Sequence, residues 1–149
     1  MVQKKDLLDS ISEKAKAAMV KSPLERPAKL GASEQYHIFH QAPTVIVVSG
    51  AKNVKAPIEL PDQVWKSYSP LADCAAAIQN MLLAAESIGV ASCWIGYVNY
   101  YFMLAEAEAD LGLPAEYSPL FAVCLGYKTA SLNGTGAVVR KLPGIQYIR

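Results

Sequence analysis

The residues with the most chemical meaning in this sequence are Trp94-Ile95-Gly96, which end a short apolar segment. A glycine at the end of a strand lets the backbone approach a flat ligand, because no side chain stands in the way. The segment follows a nearly all-apolar stretch at residues 71–88. Together the two features predict a ligand site built over a buried core.

Motifs that carry their own chemistry are missing from the sequence. It has no Gly-x-Gly-x-x-Gly after a strand, no Walker loop, no His-Glu-x-x-His and no Gly-x-Ser-x-Gly. His37 and His40 could share a face, but no carboxylate or thiol is placed to join them, so ordinary histidines are favoured over a metal site. We predict no catalytic side chain and no metal, and an enzyme here would need a cofactor to carry the reaction.

Composition and charge narrow the class of protein and its partners. The 149 residues are 52% hydrophobic and 18% charged, which is typical of a single globular domain at 1–149. The net charge is +1 with no basic cluster, so neither nucleic acid nor membrane partners are expected. Cys74, Cys93 and Cys124 show no metal-binding or redox spacing, and the N-terminus has no apolar signal segment. We therefore expect a reduced, cytoplasmic protein.

The apolar stretch at 71–88 predicts a buried helix. Its polar residues Asp73, Asn80 and Ser87 recur every two turns and form one narrow stripe. The apolar runs are too short to span a bilayer, which takes about 20 residues. A helix that is apolar on nearly every side must be enclosed by protein. Either a second subunit covers it, or the chain's own residues wrap it.

Helices and strands alternate along the rest of the chain. The predicted elements are a helix around 7–19, strand 44–49, helix 71–88, strand 90–95, helix 100–111 and strand 120–127. Residues 22–33 and 50–68 are predicted as loops, and the strand TVIVVS is apolar on both faces, as expected of an interior strand. Ser69 and Asn99 are expected to cap helices, and Gly89 and Gly112 to end them. The pattern indicates an α+β or α/β fold with a small sheet.

Several blocks of the sequence resemble the nitroreductase-like flavin oxidoreductases. In chain order these blocks are APTVIVV at 42–48, DCAAAIQNMLLAA at 73–85, Gly89, SCWIG at 92–96, LGLP at 111–114 and LFAVCLGY at 120–127. Their order and spacing fit the family's strands and central helix over about residues 38–149. The family usually opens with an arginine-rich segment that holds the FMN phosphate. This sequence has no such segment, so an N-terminally short member is expected.

The resemblance implies an α+β nitroreductase fold in a homodimer that holds FMN in the groove between subunits. It implies reduction of nitroaromatic, quinone or similar acceptors by NADH or NADPH through ping-pong hydride transfer. Cys93, Trp94, Ile95 and Gly96 are expected against the flavin ring, with a backbone N–H reaching flavin N5 or O4. Arg140, with Lys141 as second candidate, is expected at the FMN phosphate.

Each of these positions also admits a simpler role. Trp94 could be a core aromatic residue, and Arg140 a solvated charge. The aromatic cluster Tyr97, Tyr100, Tyr101 and Phe102 could line an acceptor pocket or only pack the following helix. The alternative function is a non-catalytic dimeric relic or binding protein that retains the fold and binds FMN weakly or not at all.

Overall fold

The computed structural model describes residues 1–54 and 62–127, with only the backbone described at 62–67. In chain order the elements are α1 Lys5–Val20, α2 Glu25–Ala32, β1 Thr44–Ala51, α3 Asp62–Ser87, β2 Val90–Ile95, α4 Asn99–Phe102, α5 Ala107–Asp110 and β3 Tyr117–Tyr127. The strands form one small sheet with helices packed on it. The predicted α+β class is confirmed.

The sheet has the order β1-β3-β2, and both pairings are antiparallel. At its centre, Ala122 of β3 lies opposite Val47 of β1 and Ile95 of β2. Within the described residues β1 lies at one end of the sheet and has only the bridge from Val2 to Val45 on its outer edge, so the interior position predicted for TVIVVS is not seen there. Its apolar residues on both faces reflect helices above and below the sheet, rather than a central place within it.

One face of the sheet carries the main hydrophobic core. Ala122 and Cys124 of β3 belong to a buried cluster with α1 and α4, whereas the residue between them, Val123, is buried outside that cluster. This alternation is what a strand with two covered faces requires. On α1 the buried apolar residues are Leu8, Ile11, Ala15 and Met19.

The other face of the sheet is covered by α3. Ile78 is fully buried there and Cys74 nearly so, but Leu83 is 61% exposed, and Ile88, just past the end of the helix, is 75% exposed. The apolar helix is therefore enclosed on one side only by the described residues. Wrapping by the chain's own residues, one of the two expectations for this helix, is not seen within the described ranges. No helix in those ranges is long and apolar enough to cross a membrane.

The predicted loop at 22–33 is wrong, because Glu25–Ala32 form α2. Pro27 falls in the first turn of this helix, where a missing N–H does little harm. Gly31 lets α2 approach α1 closely, since a Cβ there would lie 2.7 Å from the carbonyl oxygen of Lys16. The segment is helical because it packs on α1, which its prolines and glycine do not reveal in isolation.

The predicted start of the central helix is also wrong. The helix begins at Asp62, so Ser69 is not its cap and Pro70 lies inside it. Pro70 packs against β1 at Gly50, where a Cβ would come within 2.9 Å of the proline Cβ. This contact helps to explain why the helix continues through a residue that usually breaks one. The predicted end is confirmed, because Gly89 has a φ of +75°.

The single helix predicted at 100–111 is instead the two short helices α4 and α5. Tyr101 is fully buried, and its hydroxyl donates to Asp110 Oδ2 at 3.1 Å. In one continuous helix these residues would lie about 13.5 Å apart along the axis, too far for this bond. Asn99 is the first helical residue rather than a cap. Gly112 ends the segment with a φ of +63°, as predicted.

Candidate functional site

Two neighbouring cavities meet where β2 ends. The larger is an open groove of about 750 Å³ between the start of α2 and the segment that leads into α4, and the smaller, of about 310 Å³, runs along β2. Arg26, Gly96 and Tyr97 line both cavities. A volume of this size falls in the range of sites for small organic ligands. The predicted ring-contact segment therefore does border a cleft.

Gly96 is an exposed and unobstructed point of this cleft. No atom lies within 4 Å of the position that a Cβ would occupy there. It follows directly after Ile95, the last residue of β2 that pairs with β3. Ile95 as a whole residue is only 5% exposed and belongs to the core, so the accessible main chain at this end of the strand is that of Gly96. The end of β2 thus presents bare main chain to the cavity.

Trp94 and Cys93 line the smaller cavity together with Ile95 and Gly96. Trp94 is 38% exposed and packs edge to face on Phe121, with ring centroids 4.9 Å apart. It is therefore both a packing residue and a cavity wall. Cys93 is exposed and lies opposite the buried Cys124 in the β2–β3 register. Burial raises the pKa of the Cys124 thiol to about 12, and the nearby Cys93 adds to the shift.

Tyrosine rings form one wall of the cleft. The Tyr97 ring lies 6.4 Å from the rings of Tyr36 and Tyr100, measured between centroids. The Tyr100 hydroxyl is hydrogen-bonded to Ser22 Oγ at 2.9 Å, which ties α4 to the turn before α2. The predicted aromatic cluster therefore divides. Tyr97 and Tyr100 line the larger groove, whereas Tyr101 is a core residue.

Arg26 also lines the cleft, although no motif in the sequence predicts it there. It lies in the first turn of α2 and forms no ion pair with any other described residue. Burial raises the pKa of the Tyr36 hydroxyl, and the positive charge of Arg26 acts in the opposite direction. The only sequence signal was the spacing of Pro27 and Gly31 on one helix face. That signal is too weak to predict that a cation lies near Gly96.

The remaining predicted site residues do not join this cluster. Arg140 and Lys141 lie outside the described residues. His37 Nδ1 accepts a hydrogen bond from the Phe39 N–H at 3.2 Å, and its Nε2 lies 3.3 Å from Asp9 Oδ1. His40 packs on Tyr36 with ring centroids 5.9 Å apart. Among the described side chains, at 1–54 and 68–127, no group of three His, Cys, Asp or Glu residues could hold a metal ion.

The chain belongs to the nitroreductase family, whose family model matches residues 1–127. This match begins well before residue 38, where the resemblance in the sequence was expected to start. The chain is 32% identical to an FMN-bound nitroreductase of Bacteroides fragilis, with a TM-score of 0.78 over 99% of this chain and 73% of that chain. An FMN-bound nitroreductase of Desulfitobacterium hafniense shares the fold, with 24% identity and a TM-score of 0.72 over the same shares of both chains.

A relative from Archaeoglobus fulgidus, provisionally named an NADH dehydrogenase/NAD(P)H nitroreductase, is 30% identical over 83 residues. The match covers 56% of this chain and 42% of the relative, so the chain spans less than half of that protein. Together these findings confirm the nitroreductase fold.

Proposed function

We propose that this protein is an FMN-dependent NAD(P)H oxidoreductase of the nitroreductase type. The observation that carries the proposal is the open space at Gly96, where two cavities meet beside exposed main chain. A flat ring can lie there without displacing any side chain. FMN would accept hydride from NADH or NADPH and deliver it to a nitroaromatic, quinone or similar acceptor in ping-pong order.

The residues around Gly96 fit the isoalloxazine ring of FMN. The main chain at Gly96 would orient the ring, with the buried Ile95 anchoring it in the sheet, because main-chain donors hold a ligand without titrating. Trp94 is fixed by Phe121 and would bound one side of the ring, with Cys93 beside it. We retain Arg140 and Lys141 as candidates for the phosphate. No side chain needs to act as acid or base in this scheme.

We further propose that two copies of the chain associate through α3. The support is exposed apolar surface on α3, where Ala72, Ala76 and Leu83 recur at helical spacing on the face away from the buried Ile78. Exposed apolar surface of this kind is typical of protein interfaces. A second copy supplies a matching apolar helix under twofold symmetry. A cytoplasmic location remains a prediction from the sequence.

The test is a substitution that blocks the space at Gly96 without disturbing the fold. Gly96→Val adds a side chain where nothing lies within 4 Å, so the thermal midpoint should stay unchanged. FMN affinity, measured by quenching of flavin fluorescence, should fall about tenfold or more, equivalent to about 1.4 kcal/mol. Ala105→Val, at an exposed position that lines neither cavity, is the matched control and should leave FMN binding intact.

Two results would contradict the proposal. Purified protein that is colourless, and stays so with excess FMN, would favour the alternative of a non-catalytic relic. Equal FMN affinity in the wild type and in Gly96→Val would place the flavin elsewhere. Consumption of NADH or NADPH with para-nitrobenzamide as acceptor then distinguishes an enzyme from a protein that only binds flavin.

A further inference from the structure

Arg26 is a cation whose position the fold does not explain. Its neighbours on α2, Glu25 and Lys29, pair with each other at 2.6 Å, but Arg26 pairs with no described carboxylate. A positive charge in the first turn is also opposed by the helix dipole. Arg26 therefore contributes little to the stability of α2 by charge. It lines both cavities that meet at Gly96, which suggests a role toward a ligand.

The larger groove has the composition of a site for an aromatic anion. The rings of Tyr97 and Tyr100 lie on one side, and Leu24 and Pro27 supply apolar surface beside Arg26. Apolar and aromatic walls hold a planar ring. A guanidinium binds a carboxylate or sulfonate through two parallel hydrogen bonds. Arg26 is the only cation among the described residues that line the groove, and the carboxylate of Glu25, which lines it too, is paired with Lys29.

We propose that this groove binds the electron acceptor and that Arg26 selects aromatic acceptors carrying a carboxylate or sulfonate. The inference rests on the proposed function and names the substrate class of the same site. Arg26 lies beside Gly96, where the ring of FMN is proposed, whereas the phosphate of FMN is held away from that ring by the ribityl chain. An acceptor ring that stacks on the flavin at Gly96 would therefore bring its own anionic group close to Arg26. The cofactor phosphate would lie farther from Arg26. Arg26 acts in binding and specificity and takes no part in the chemical step.

The test compares para-nitrobenzoate with para-nitrobenzamide, which differ mainly in charge. Dissociation constants are measured on the FMN-loaded protein from changes in the flavin spectrum, and KM and kcat from turnover with NADH. The wild type should bind the carboxylate about tenfold more tightly, because a hydrogen bond to a charged group contributes at least that factor. Arg26→Gln should remove this preference, and the loss should appear in the dissociation constant and KM for the carboxylate.

Lys21→Gln is the matched control, because it removes the same charge from an exposed residue near α2 that does not line the groove. It should keep the preference for the carboxylate. Arg26→Lys should keep part of it, since an ammonium offers charge without the paired donors.

Two results would overturn the inference while leaving the proposed function intact. The first is an equal preference for the carboxylate in the wild type and in Arg26→Gln. The second is an Arg26→Gln protein with weakened affinity for FMN and unchanged affinity for riboflavin, which would assign Arg26 to the cofactor phosphate. Failure of the wild type to bind FMN at all would refute the proposed function. In that case, the binding of para-nitrobenzoate to the flavin-free protein can be measured by tryptophan fluorescence. Binding to the wild type that is lost in Arg26→Gln would still support an anion site.

Discussion

The two sides of the sheet differ in how completely they are covered. On one side α1 buries its whole apolar face, and Ala15 and Met19 have no exposed surface. On the other side α3 is the more apolar helix, yet its Leu83 is 61% exposed. We call the side of the sheet that α1 covers the closed layer, and the side that α3 covers the open layer. The described residues complete the closed layer by themselves, whereas the open layer has apolar surface left for a partner.

The candidate site lies where the two layers meet. Ile95 belongs to the closed layer, while its neighbour Trp94 packs on Phe121 and reaches the cavity. A strand that is anchored on one side and open on the other can hold its main chain rigidly and still admit a ligand. Because Ile95 is anchored in the core and the other side of the strand is open, the main chain at Gly96 is held in place and remains unobstructed. Substitutions in the two layers should therefore have different effects.

The largest expected effect is in the closed layer. Ile11 is 2% exposed, so Ile11→Ala should leave a cavity and lower the free energy of unfolding by about 2 to 5 kcal/mol. Val20→Ala, on the same helix at a residue that is 50% exposed, should change it by less than about 0.5 kcal/mol. Urea denaturation measures both. Equal losses would show that the closed layer is not packed as a core.

The open layer should respond in association rather than in folding. Leu83→Arg places a charge on a surface that we propose to be shared by two copies, so the dissociation constant of the dimer should rise about tenfold or more. Met103→Arg is the control, at a residue that is 72% exposed outside α3. Sedimentation across a range of protein concentrations measures both. A wild type that sediments as a single chain throughout would remove the reason for distinguishing the two layers.

What the sequence predicted well is local. The strand β2, the end of α3 at Gly89 and the first helix follow from spacing and glycine positions within a few residues. The start of α3 and the existence of α2 depend on contacts with distant residues, such as Gly50 with Pro70. A single sequence does not show those contacts, so the prolines there predicted loops.

The site was predictable to the same extent. The glycine after an apolar strand marks Trp94 and Gly96 without any knowledge of the fold. Arg26 comes to the same cleft only because α2 packs on α1 through Gly31, and no local pattern encodes that. The family resemblance covers residues 38–149, so it does not include Arg26.

The smallest expected effect concerns a polar contact at the rim of the closed layer. Asp110 Oδ2 accepts hydrogen bonds from Lys14 Nζ on α1 and from the Tyr101 hydroxyl. The Lys14 hydrogen bond, followed by that of Tyr101, lowers the pKa of the Asp110 carboxyl below its ordinary value of 3.8. The unfolded chain therefore takes up this proton before the folded protein does. The stability from the carboxylate is present above pH 3.8 and is lost as the pH falls through the lowered pKa.

Asp110→Asn should remove this contribution, so its stability should fall less steeply than that of the wild type below about pH 4. Because the pair is exposed to solvent, the effect should be smaller than that of Ile11→Ala and should shrink with added salt. Urea denaturation at a series of pH values measures it, with Glu116→Gln as the control at an exposed carboxylate. Parallel curves for the wild type and Asp110→Asn would mean that the closed layer is held by apolar burial alone. A difference that salt removes would show that the link from α1 to α5 also carries charge.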